Sequence, residues 1–304
     1  MSAQRGIALP FLIFTLIWGS TWIVIRDQLG VVPPQWSVAY RFVIAAAAMF
    51  AVCRWKGDPL RLARRDWPAV ALIGLFQFCI NFNAVYVAEH FITSGLVATV
   101  FALLLIPNSL LAWAILKQPP TGRFLACSGI AILGIALLFW NEARKVDVPT
   151  ATVLAGIGWT LVGVLGAAFA NVFQATRQVR HIPVFTLLAW AMSAGAVCNL
   201  LLASLIAGPP VFDPRPGYWL GLVYLALFAS VLCFSLYFPV VRKIGPGKAA
   251  YSSALVPIVA MALSTLFEGY RWTGLAAAGA ALAIGGMLLA MAGRREVVPS
   301  PPAD

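Results

Sequence analysis

The sequence predicts an all-α polytopic membrane protein of ten transmembrane helices, arranged as two inverted five-helix repeats. Three observations carry this: ten apolar runs of about span length, a composition 62% hydrophobic and only 10% charged with a mean hydropathy of +0.90, and basic residues that sort by loop parity. A helix rising about 1.5 Å per residue needs roughly 20 apolar residues to cross a hydrocarbon core of about 30 Å. Barrel strands would alternate, whereas Phe101 to Ile106 and Gly274 to Ala283 are apolar or small on every side.

The first span, Ile7 to Ile25, runs past Trp18 and Trp22 without a small-residue cleavage site, so it is expected to stay as a helix. The second, Ser37 to Cys53, follows Pro34 and carries Arg41. In the third, Trp67 to Ala88, the residues Gly74, Gln77 and Asn81 recur at i, i+3, i+7, which predicts one interior-facing stripe. The fourth, Ile92 to Leu116, has Pro107 and Asn108 at its middle, and the fifth runs from Thr121 to Trp140. The sixth, Ala151 to Gln174, holds Trp159 and Asn171, and the seventh, Val184 to Ala207, follows Pro183 and holds Trp190. Gly217 and Gly221 make a GxxxG in the eighth, Gly217 to Val240. The ninth, Pro246 to Phe267, contains Ser252, Ser253 and the mid-span Pro257. The tenth, Trp272 to Ala292, repeats small residues at Ala277, Ala281 and Gly285, spacings that suit packing within a monomer, with a dimer interface as the alternative. The Pro-containing 293–304 reads as a short cytoplasmic tail.

The net charge of +11 invites a nucleic-acid partner, but the distribution of the 21 basic residues excludes it. With a cytoplasmic N-terminus, fifteen fall on inside segments, among them Arg54, Lys56, Arg61, Arg64 and Arg65 in one loop, and five on outside loops. That bias places both termini in the cytoplasm.

A shift of 150 residues lays one half of the chain on the other. Gly95, Phe101, Leu105, Pro107 and Gly129 meet Gly245, Tyr251, Leu255, Pro257 and Gly279. Five helices is an odd number, so the second copy starts on the opposite side and is inverted. Inverted repeats are a recurrent transporter architecture with the ligand site near the midplane, where the repeats meet.

Trp18-Gly19-Ser20-Thr21, Arg41, Pro107, Pro257 and Glu268 together make the chain resemble the EamA-type exporters of the drug/metabolite transporter superfamily, over residues 7 to 292. Within them it looks most like the bacterial aromatic amino acid exporters. The resemblance implies a repeat over 7–140, a second over 151–292, a multi-pass protein of a bacterial inner membrane, and export of amino acids, aromatic ones included, and related metabolites by alternating access. It departs from the family at Gln118, which stands in the first half where Glu268 stands in the second.

The resemblance puts helices 1, 3, 4, 6, 8 and 9 around the axis. The expected path is lined by Trp18, Gln77, Asn81, Phe101, Trp159, Tyr251 and Ser252, aromatic walls with amides and hydroxyls, since burying amides at midspan is otherwise costly. Each of these has packing or interhelical hydrogen bonding as its plainer alternative. Pro107 and Pro257, expected as kinks or gates, remove the amide hydrogens that the carbonyls of Leu103 and Ser253 would receive, freeing two acceptors for a substrate ammonium. Arg41, little more than one turn after Trp36, is expected to snorkel toward the outer interface or meet Asp27 or Glu89, with binding of a substrate carboxylate as the alternative.

No acidic residue lies deep in a span, which favours facilitated export over a proton-coupled pump. Glu89 and Glu268, at outer helix ends, are the only candidate exceptions. An enzyme is disfavoured because His90 and His181, the only histidines, fall on opposite sides. The cysteines show no metal-site spacing, and Gly245 to Lys248 lacks the leading Gly and final Ser or Thr of a phosphate loop, so neither a metal nor a nucleotide cofactor is expected. A passive channel remains the other alternative.

Overall fold

The computed structural model describes residues 2–143, 149–249 and 252–292. The tail at 293–304 lies outside them. Among the described residues ten long helical segments form the bundle, beside the single turns Arg177–Arg180 and Pro246–Ala249, and are numbered here in chain order: α1 Ser2–Gln28, α2 Pro34–Lys56, α3 Arg64–Ala88, α4 Ser94–Leu116, α5 Gly122–Ala143, α6 Thr150–Phe173, α7 Val184–Ile206, α8 Pro216–Ile244, α9 Ser252–Phe267 and α10 Gly274–Ala292. Seven carry spans long and apolar enough to cross a bilayer. The other three, α5, α9 and α10, contain shorter apolar stretches. The boundaries have local causes. Pro34 and Pro216 occupy the first turns of α2 and α8, where a missing amide hydrogen costs nothing. Gly57 ends α2 at φ 76°, a left-handed cap that favours glycine.

The packing follows a pseudo-two-fold exchange of the halves. α2 packs on α7, α4 on α9 and α5 on α10. The contact of α1 with α9 is mirrored by α6 with α4, that of α3 with α7 by α8 with α2, and that of α1 with α8 by α6 with α3. The inverted repeat is therefore a property of the tertiary structure as well as of the sequence.

Glycine sets the closest approach, between α5 and α10. A Cβ on Gly134 would lie 2.3 Å from the Ala283 nitrogen, and one on Gly279 2.8 Å from the Gly134 carbonyl oxygen. The stripe that packs on α10 is thus Gly279, Ala283 and Gly286. The expected Ala277, Ala281 and Gly285 lie to its side: the two alanines are exposed, and a Cβ on Gly285 would meet nothing. Small residues occur all round this helix, so spacing alone selects no face. In the GxxxG of α8 only Gly221 meets a neighbour, the Val24 side chain of α1.

Both third helices of the repeats are locally widened to π geometry, over Gly74–Ile80 in α3 and Leu225–Leu232 in α8. Such turns are frequent at functional sites. In α3 the widening breaks the predicted stripe. Gly74 packs on the α7 backbone, where its Cβ would lie 2.6 Å from the Ala191 carbonyl oxygen, while Gln77 and Asn81 turn to the centre of the bundle.

Candidate functional site: a cavity between the repeats

A narrow cavity of about 90 Å³ lies where the repeats meet. From α1 it receives Trp18, Thr21, Trp22 and Ile25, and from α8 Phe234 and Tyr237; Phe82 and Phe101 add two more rings. Trp18 is held in place by Phe14, Phe234 and Tyr237, with ring centroids 5.1 to 5.4 Å away, and its Nε1 donates to the Ala229 carbonyl at 3.0 Å, in the widened part of α8.

The polar groups are few and buried. Asn81 Nδ2 donates to the Gln77 carbonyl at 3.3 Å, leaving its Oδ1 with no hydrogen-bond partner, as are Gln77 Oε1, Asn171 Oδ1 and the Trp22 indole nitrogen. Glycines on α6 let these groups reach the centre, since a Cβ on Gly163 would lie 3.1 Å from the Asn81 carbonyl oxygen and one on Gly166 3.0 Å from that of Phe76. Arg41 is 1% exposed. Its Nε donates to Ser230 Oγ at 3.1 Å and its guanidinium lies 4.3 Å from the Phe82 ring centroid. The expectation that it snorkels outward is overturned. Phe82 of the cavity wall and the buried Ser230, in the widened part of α8, hold it at the cavity.

Of the sequence-predicted site residues, Trp18, Gln77, Asn81 and Phe101 come together here. Trp159 does not. It is 44% exposed, at the edge of the glycine face of α6, and does not line the cavity. Tyr251 lies outside the described residues, and so does the side chain of Ser252, although its backbone opens α9. Neither Pro107 nor Pro257 lines the cavity. Nor is the Leu103 carbonyl free: Ala102–Leu104 tightens to a 3₁₀ turn, and a backbone N–H at its Leu105 end supplies the bond that Pro107 withholds. Two other deep aromatics are also used elsewhere: Tyr86 donates to Gln28 Oε1 at 2.9 Å and Trp190 to the Leu60 carbonyl at 2.8 Å. Sequence reasoning missed Trp22, Phe234, Tyr237 and the role of Arg41. The signal was present in the i, i+4 pair Trp18 and Trp22 and the i, i+3 pair Phe234 and Tyr237.

One turn beyond Ile25 and Val85 the cavity is closed at one end of the bundle. Glu268 accepts from the Ser94 amide at 3.3 Å and from Ser94 Oγ at 2.7 Å, and lies 3.7 Å from Arg26 Nε. Arg26 Nη1 donates to the Glu89 backbone carbonyl. Glu89, which ends α3, is 0% exposed, and both its carboxyl oxygens lack a hydrogen-bond partner. Burial, and then the Glu268 carboxylate, hold its carboxyl well above the usual range against the opposing pull of Arg26.

Residues 5–140 and 154–292 match the EamA-like transporter family, one copy in each half, and the chain belongs to that family. It is a multi-pass membrane transporter, not an enzyme. It is 31% identical over 260 residues to the "Uncharacterized inner membrane transporter YedA" of Escherichia coli K12, covering 84% of this chain and 80% of that one. It is 24% identical over 297 residues to a "Probable amino-acid metabolite efflux pump" of Salmonella typhimurium, covering 93% and 94%. A solved crystal structure superposes with a TM-score of 0.71 at 19% identity over 95% of this chain and 97% of that one, a likeness of fold.

Proposed function

We propose that the protein exports amino acids, aromatic ones included, and related small metabolites across a bacterial inner membrane by alternating access of the cavity between the repeats. The observation that carries this reading is the cavity's composition. Trp18, Trp22, Phe101, Phe234 and Tyr237 offer an apolar wall, while Gln77, Asn81 and Asn171 present amide oxygens that nothing in the described protein satisfies. The Salmonella relative's name points the same way. The positive-inside bias orients both termini, and the loop 57–63 between α2 and α3, toward the cytoplasm.

Among the described residues no carboxylate lines the cavity, so export is facilitated and runs down the substrate gradient. Efflux from proteoliposomes across a panel of amino acids, aromatic metabolites and cationic drugs, with and without a pH gradient, tests the reading. Saturable efflux with counterflow of aromatic amino acids and no imposed gradient is expected. Efflux confined to cationic drugs and driven by pH would replace it with a proton-coupled drug pump.

A further inference from the structure

Arg41 is the one cation in the cavity wall, and among the described residues it has no acidic partner. The groups around it are neutral: Ser230 Oγ on Nε, the Phe82 and Phe42 rings at 4.3 and 5.5 Å, and the nearby Tyr86 hydroxyl and Cys233 thiol. Its Nη1 is buried and donates to nothing. A buried guanidinium without a counter-ion is expensive, and such residues inside a membrane face an interior path and take a partner there. Structural use alone would be served by a paired or exposed arginine. Three amide oxygens, Gln77 Oε1, Asn81 Oδ1 and Asn171 Oδ1, on residues 2 to 4% exposed, line the same cavity without a donor, beside the unpartnered Trp22 indole N–H. The lining thus holds a cation without an anion and amide oxygens without a donor.

We infer that Arg41 anchors the carboxylate of the transported molecule while the amide oxygens of Gln77, Asn81 and Asn171 receive its ammonium, so that the site selects zwitterionic α-amino acids over amines and over simple carboxylic acids. This rests on the reading of the cavity as the transport site and names the chemistry that it recognises. Planar, always charged and weakly hydrated, a guanidinium suits a carboxylate at such a place better than a lysine would. Because the amides are neutral, the ammonium is held without a fixed charge, which leaves release easy.

The test is counterflow of phenylalanine in proteoliposomes of the full chain, with phenylalaninamide, phenethylamine and 3-phenylpropionate as competitors. The wild type is expected to prefer phenylalanine over each of the three by more than about tenfold, because each leaves a buried group unpaired. Arg41→Gln is expected to lose more than about tenfold in apparent affinity for phenylalanine with little change for phenethylamine, and Arg41→Lys to recover part of the loss. If phenylalaninamide competes as well as phenylalanine, the carboxylate anchor is wrong while the exporter reading stands. Should Arg41→Gln not reconstitute, the wild-type competition series decides by itself. Absence of counterflow for every amino acid in the panel overturns the exporter reading, and this inference with it.

Discussion

The two ends of the bundle are built on one backbone plan and differ in charge. At one end Glu268, following α9, binds the start of α4 at Ser94, beside Arg26 and the buried Glu89. At the pseudo-symmetric end Gln118, following α4, stands by Gly245, which precedes the second half of the other repeat's path; its Oε1 is 3.4 Å from where a Cβ on Gly245 would be. There Arg242 reaches carbonyls rather than carboxylates, that of Ile182 at 2.7 Å and Gln174 Oε1 at 3.3 Å. The two equivalent ends thus differ in side chains: one gathers Glu268, Arg26 and the buried Glu89, while the other sets Gln118 and Arg242 among carbonyls and amides, with its ion pair, Asp66 and His181, set apart at 3.1 Å. Here the two halves of an otherwise symmetric fold part company.

The strongest way to break the comparison is to remove the two equivalent groups. Glu268→Ala deletes an acceptor of two hydrogen bonds and the partner of Arg26, charge-assisted contacts worth about 1.5–3 kcal/mol each. It is expected to slow counterflow about tenfold or more and to open that end to thiol reagents at an introduced Ser94→Cys. Gln118→Ala, at an exposed position, is expected to change the rate less than about twofold. Equal effects at the two ends would dismiss the asymmetry.

A second prediction concerns pH. Where that end is closed, Glu89 faces Glu268 and Arg26 from the neighbouring helix ends, and Tyr86 and His90 from its own segment, and its carboxyl sits well above the usual range. A raised value means that the closed arrangement binds the proton more tightly than an open, hydrated one. Closure is therefore fully favoured below the ordinary carboxylate range and loses that contribution as pH rises through the raised value. Accessibility of Ser94→Cys should increase with pH in wild type. Glu89→Gln, neutral at every pH, should stay at the low-pH level. A pH profile unchanged by Glu89→Gln would assign it to other groups.

The halves should behave alike where only backbone packing is at stake. Gly134→Ala and Gly279→Ala, one in each repeat, both drive a methyl into the facing backbone of the α5–α10 pair. Each is expected to lower stability in detergent by about 1–3 kcal/mol, read as a shift in thermal unfolding. A large difference between them would show that the α5–α10 contact is less symmetric than its geometry. The smallest effect is expected at Trp159→Ala, which removes an exposed side chain, whereas Trp18→Ala removes a ring of the cavity wall. Affinity for phenylalanine should fall for the second and hold for the first. The reverse result would put Trp159 in the wall in place of Trp18.

Some of this was legible in the chain alone. Ten spans, their order and the inverted repeat follow from run length, loop charge and an odd number of helices per unit, because a bilayer demands long apolar helices and accepts few alternatives. Trp18, Gln77, Asn81 and Phe101 were readable as well, since amides and indoles at midspan need partners. The tertiary structure decided which way each helix turns. Helices that are apolar on all sides carry no signal of facing, so Trp159 could be assigned to the interior and the packed stripe of α10 to Ala277, Ala281 and Gly285 when neither was so. The widened turns of α3 and α8 shift the register that periodicity assumes, separating Gly74 from Gln77 and bringing Ser230 to Arg41. Arg41 and Glu89 show the limit most plainly. Their positions in the sequence read as span ends near water, and only the packing of helices distant in the chain takes the water away.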